Sequence, residues 1–146
     1  MARPEHVAAL DPTVSTEETR KVAERLAASL SSLSEGGGEA IFSPDVRLWV
    51  SGDYWWSGEL DAAQAGQVQG LFHQRLVPGT LQKEVRSIIA EHNRAALELR
   101  LTGQWHDGRD YASDLHVAID VRDGKIVGYR EYSCDTRFFA LEPEPA

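Results

Sequence analysis

Two dipeptides, Asp107-Gly108 and Asp123-Gly124, constrain this chain more than any other feature. Each lies between runs that alternate apolar and polar residues, and glycine after aspartate supplies the positive φ that a tight hairpin needs. Leu97–Trp105, Arg109–Val121 and Lys125–Phe138 therefore read as three consecutive antiparallel strands.

Turn register decides which side chains share a face, because a slip of one residue moves a whole strand's side chains to the opposite side. At the first turn, pairing His106 with Arg109 sets Arg100 opposite Leu115, Glu98 opposite Val117 and Thr102 opposite Ser113. At the second, a two-residue loop would put Glu131 opposite His116. A three-residue loop, Arg122-Asp123-Gly124, puts Glu131 beside Leu115 and Tyr129 beside Val117. The longer loop is favoured because it groups Val127 and Tyr129 with Ile119 and Val117. One face then holds Glu98, Arg100, Thr102, Ser113, Leu115, Val117, Tyr129, Glu131 and Ser133. The other holds Leu97, Leu99, Leu101, Trp105, Asp114, His116, Ala118, Arg130 and Tyr132.

Upstream, residues 1–13 read as a mobile arm. Ser15 with Glu18 forms a capping-box pattern for a helix running to about Ser34, with Val22, Leu26, Leu30 and Leu33 on one stripe. Gly36-Gly37-Gly38 ends it, and Glu39–Ser43 reads as one helical turn. Asp45–Ser51 is a short strand, followed by an aromatic loop with Tyr54, Trp55 and Trp56. Asp61–Val77 is a second helix with Ala65, Val68, Leu71, Phe72 and Leu76 on one face, stopped by Pro78-Gly79. Thr80–Glu91 is a strand that turns at His92-Asn93. Helices early and hairpin-linked strands late predict an α+β layer fold: a curved antiparallel sheet wrapped by the N-terminal helices around one pocket. Residues 14–139 form the single domain and residues 140–146 a mobile tail.

With 146 residues, 42% of them hydrophobic, one domain can bury a core. The net charge of −8, with basic residues scattered, argues against nucleic-acid or anionic-membrane partners. No apolar run approaches the roughly 20 residues that span a bilayer. The N-terminus carries no apolar signal region, and Cys134 is the only cysteine, so the expected location is the cytoplasm.

If the face holding Glu98, Arg100 and Glu131 lies under the helices, these charges form a buried acid–base set. Arg100, Leu115 and Glu131 would occupy one cross-strand row, its ends roughly 10 Å apart at the backbone. If that face is solvated, the three are ordinary surface charges. Asp114 and His116 share the opposite face, with no third residue spaced to complete a metal site. His73 could reach the pocket as an acid or base. Trp55 and Trp56 could cover an aromatic ligand or simply pack on the sheet.

The stretch GKIVGYREYSCDT, following an alternating strand and preceded by helices, resembles the nuclear-transport-factor-2-like superfamily. Within it the chain is most similar to SnoaL-like polyketide cyclases and limonene-epoxide-hydrolase-like or ketosteroid-isomerase-like enzymes. The resemblance covers roughly Ser15 to Phe139. It implies a cone-shaped sheet around a pocket closed by helices, chemistry without metal or organic cofactor, and dimerisation through the sheet. The family's last-strand acid falls on Glu131 within Tyr129-Arg130-Glu131. Its central-strand arginine and acid fall on Glu98-Leu99-Arg100 in swapped order, and its first-strand polar positions fall on Leu48 and Val50.

The expected function is general acid/base chemistry on a small, largely apolar molecule, polyketide- or terpenoid-like: isomerisation, cyclisation or epoxide hydrolysis. Glu131, Arg100 and Glu98 are the catalytic candidates. Leu48, Val50, Trp55, Trp56, Phe72, His73, Ser113, Leu115, Val117 and Tyr129 are the candidate substrate contacts. The alternative is a non-catalytic binding module of the same fold. Leu97, Leu99, Leu101 and Trp105, uncovered on the other face, predict a homodimer through that face.

Overall fold

The computed structural model describes residues 3–29 and 41–133. The expectations for Leu30–Ser34, the glycine linker, Cys134, the end of the last strand and the tail lie outside those residues. Two helices, α1 (Thr16–Ser29) and α2 (Ala62–Arg75), precede most of a sheet built from β1 (Phe42–Val50), β2 (Gly58–Leu60), β3 (Gln82–Glu91), β4 (Arg94–Gln104), β5 (Asp110–Arg122) and β6 (Lys125–Ser133). The strand order is β2-β1-β6-β5-β4-β3. The expected α+β layering is present, with two differences. The sheet is mixed, because β1 lies parallel to β6, and it stays open, with β2 and β3 as its edges.

Local chemistry explains the helices. The Ser15 hydroxyl accepts from the Glu18 N–H at 3.2 Å at the start of α1. At α2, Asp61 and Gln64 form a reciprocal capping box, satisfying two N–H groups that the first turn leaves without partners. α1 buries Val22, Ala23, Leu26 and Ala27 against β3, β4 and β5. Phe72 of α2 packs edge-on against Trp105 and Tyr111, at 5.8 and 5.3 Å between ring centroids.

The hairpins correct both predicted registers. The β4–β5 turn is the longer one: Trp105 and Arg109 pair across His106-Asp107-Gly108, with Gly108 at φ 88°. The Asp107 carboxylate accepts from the Arg109 backbone N–H and side chain, which fixes this loop. Leu97, Leu99 and Leu101 consequently pair with Val117, Leu115 and Ser113. They lie on the helix-covered face and are buried, as is Trp105. Matching Leu97 and Leu99 to apolar partners stabilises this register; the predicted one would have put all three leucines on the outer face. Glu98 and Arg100 move to the outer face, opposite His116 and Asp114.

The β5–β6 turn is the shorter one. Arg122 pairs with Lys125 across Asp123-Gly124, both at positive φ. A bulge then skips Val127, so Val121 pairs with Ile126 but Asp120 pairs with Gly128. The bulge restores the residue that the shorter loop omits. Tyr129 pairs with Ile119 and Glu131 with Val117, both on the covered face. Thus Glu131 reaches the expected face by a different route.

On the outer face, Asp120 and Arg130 form a buried ion pair, with contacts of 2.6 and 3.1 Å. Gly128 lies directly opposite, and any Cβ there would collide with the Asp120 carboxylate. The N-terminal arm runs over this pair. The Ala8 N–H donates to Asp120 at 3.3 Å, Arg130 donates to the His6 carbonyl, and Asn93 bonds to both Ala9 and Asp11. Among the described residues, no helix is long and apolar enough to cross a membrane.

Candidate active site

The covered face is apolar except at a few positions, and the bulged strand places the chief exceptions. Tyr129 and Glu131 are two apart on β6, so their side chains lie on the same side. The Tyr129 hydroxyl donates to Glu131 Oε1 at 2.8 Å. Tyr129 is buried and Glu131 half-buried. Because the buried phenol reaches the carboxylate, the charged end of Glu131 is its inner end. Around the pair stand Val50, which pairs with Glu131, Leu48, which pairs with Tyr129, and Val117 across β5. The backbone is held too: the Ser51 N–H donates to the Glu131 carbonyl at 2.9 Å.

This setting perturbs both groups. Burial raises the Glu131 carboxyl above the usual carboxylate range, and the Tyr129 hydrogen bond offsets part of that rise. Burial, then the neighbouring carboxylate, push the Tyr129 phenol well above its ordinary value. Glu131 is thus a carboxyl that can hold or accept a proton, and Tyr129 a phenol that stays protonated and orients it.

Leu48 and Val50 on β1 and Leu115 and Val117 on β5 flank Glu131 on the covered face, and Tyr129 precedes it by two residues on β6 itself. Ser113 is on the same face, two rows along β5 from Val117, and is buried. Phe72 lies in the aromatic cluster at the β4–β5 turn. His73, next to it, buries an Nε2 with no hydrogen-bond partner among the described residues. Trp56 is buried and stacks on Tyr54, with ring planes 1° apart. Trp55 is half exposed and borders a separate open groove of about 500 Å³ with Gln67, Gly70, Leu71 and Gln74.

The predicted partnership of Arg100 and Glu98 with Glu131 is corrected by the register. On the outer face Arg100 forms an ion pair with Asp114 at 3.0 Å, and Glu98 is exposed. Sequence reasoning missed Lys83, which pairs with Leu101 and so lies on the covered face. The signal was hidden by a bulge between Val85 and Ser87, which breaks the alternation that would have put Lys83 in phase with Ile88 and Ala90.

No family model matches the chain, and no curated protein matches it. Solved structures do. A protein of unknown function with a cystatin-like fold from Xanthomonas campestris is 24% identical, with a TM-score of 0.71 over 86% of this chain and 98% of that one. AclR, a proposed hydroxylase from Streptomyces galilaeus, is 22% identical, with a TM-score of 0.71 over 90% and 89%. A proposed SnoaL-like polyketide cyclase from Jannaschia sp. CCS1 is 15% identical, with a TM-score of 0.68 over 95% and 100%. The chain therefore has the NTF2-like, SnoaL-like fold, which by itself assigns no reaction.

Proposed function

We propose that this chain is an acid–base enzyme acting on a small, largely apolar, polyketide-like carbonyl compound, with Glu131 as the proton-transferring group. The observation that carries the reading is the Tyr129–Glu131 hydrogen bond on an otherwise apolar covered face. The Glu131 carboxylate removes a proton from the carbon next to the carbonyl, leaving an enolate. Return of the proton at another carbon isomerises the molecule, and attack of the enolate carbon on a second carbonyl cyclises it. The fold shared with proposed cyclases and hydroxylases supports this class. Arg100 and Glu98 have no part in it.

The test is exchange of solvent deuterium into a panel of polyketide-like β-diketones, followed by mass spectrometry. Glu131→Gln should lower the exchange rate about 10²–10⁴-fold with the fold intact. Exchange that survives the substitution removes Glu131 from the mechanism. The second reading, a pocket that binds without reacting, is favoured by the apolar Leu48 and Val50 beside the carboxylate. It predicts binding with no enzyme-dependent exchange. Self-association through the outer face remains part of the proposal on smaller apolar ground, now Ile89 and Tyr132, which are exposed there. Sedimentation at micromolar concentration with Tyr132→Glu tests it, and an unchanged mass rejects it.

A further inference from the structure

Lysines usually bury their stems and keep the ammonium in water. Lys83 does the reverse. Its stem is partly exposed, while its Nζ is buried and has no hydrogen-bond partner among the described residues. Among the described residues no carboxylate pairs with it. Burial alone holds its pKa below the ordinary lysine value. A buried charge without a partner is costly, and buried polar atoms left unpaired are few in a native fold.

A second such atom lies in the same row. Lys83 pairs with Leu101, and Leu101 pairs with Ser113, so the three face the covered side abreast. Ser113 is 2% exposed and its Oγ has no partner among the described residues either. Two strand spacings separate the Lys83 and Ser113 backbones, about 10 Å, a span that the long lysine side chain can largely cross. A hydroxyl donor and an ammonium on one row of an apolar face suit a single anionic oxygen group.

We propose that Lys83 and Ser113 receive the carboxylate of an apolar acid of two to three fused rings. The size follows from the sheet. The Lys83–Leu101–Ser113 row and the Leu97–Val117–Glu131 row are two rows apart, about 13 Å along the strands, and Glu131 lies one strand across from Ser113 and three from Lys83, so its backbone is about 14 Å from that of Ser113 and about 20 Å from that of Lys83. Inward reach of the lysine and glutamate side chains shortens the span a ligand must fill. The substrate would thus be anchored by its acid at one end and exchange a proton with Glu131 at the other. This inference rests on the reading of Glu131 given above.

The probes are anthracene-2-carboxylate and its neutral amide, titrated by fluorescence into the full chain. The carboxylate should bind at least about tenfold more tightly than the amide, a charge-specific preference. Lys83→Met should erase the preference, Lys83→Arg should keep part of it, and Ser113→Ala should weaken it less. Glu131→Gln should leave the preference in place, so loss of Glu131's role, read from deuterium exchange, is distinguishable from loss of the anchor. Circular dichroism checks each variant's fold. If Lys83→Met fails to fold, 13C NMR of the wild-type Lys83 Cε decides, since a bound carboxylate must raise its titration midpoint. Equal affinity for acid and amide, no saturable binding of the acid, a preference that survives Lys83→Met, or an unmoved midpoint would each overturn the proposal.

Discussion

Replacing Asp120 with leucine should be the most damaging single change on the outer face. Asp120 is fully buried and accepts from Arg130 at 2.6 and 3.1 Å and from the Ala8 N–H at 3.3 Å, with Arg94 at 3.6 Å. The leucine leaves the Arg130 guanidinium, only 3% exposed, without its counter-ion. Removing one partner of a buried pair costs about 3–5 kcal/mol, because the remaining charge stays buried. The arm also loses the acceptor for Ala8, so exchange of amide hydrogens at Ala8 should accelerate, whereas Asp11, bonded to Asn93, keeps part of its protection. Urea denaturation reads the main effect: with a slope of about 1–3 kcal/mol per molar, the midpoint should fall by about 1–5 M. Adding Arg130→Met should recover much of the loss, since an apolar pair of similar volume removes the stranded charge. A loss under about 1 kcal/mol for Asp120→Leu, or no recovery in the double variant, would refute the assignment of this pair as a buried, mutually dependent contact.

Arg100→Ala should change stability by no more than about 1 kcal/mol, because its ion pair with Asp114 is solvent-exposed. Deuterium exchange by that variant should match wild type; a collapse would return Arg100 to the site. The native state holds the Glu131 proton more tightly than the unfolded chain does. Stability should therefore fall as pH rises from the ordinary glutamate value of 4.5 towards the raised native one. Glu131→Gln should remove that part of the slope, and urea midpoints across the range check it.

The late strands and the two helices were legible because alternation, helical spacing and aspartate–glycine turns are local signals, whereas Glu131 falls on the expected face only because the β6 bulge offsets the shorter loop. Loop length was not. Asp107-Gly108 and Asp123-Gly124 look alike in sequence, yet the first closes a three-residue loop and the second a two-residue one. The Asp107–Arg109 clasp distinguishes the first. The second is followed by a bulge that sets Gly128 against the Asp120 carboxylate, where there is no room for a Cβ. Pairing Leu97 and Leu99 with Val117 and Leu115 would have selected the correct first register from apolar matching alone. The parallel β1–β6 contact and the short β2 carry no signal of their own, since β1 is far from β6 in the chain. Lys83 was hidden by the β3 bulge, which interrupts the period-two pattern.

Titration of the Glu131 side-chain carboxyl by 13C NMR, in wild type and Tyr129→Phe, tests the central claim without requiring a substrate. The wild-type midpoint should lie above the ordinary glutamate value, because the carboxyl is desolvated on the covered face. Tyr129→Phe should raise it further, because that change removes the hydrogen bond that favours the charged form. A wild-type midpoint at or below the ordinary value, or one that Tyr129→Phe leaves unmoved or lowers, would contradict that claim.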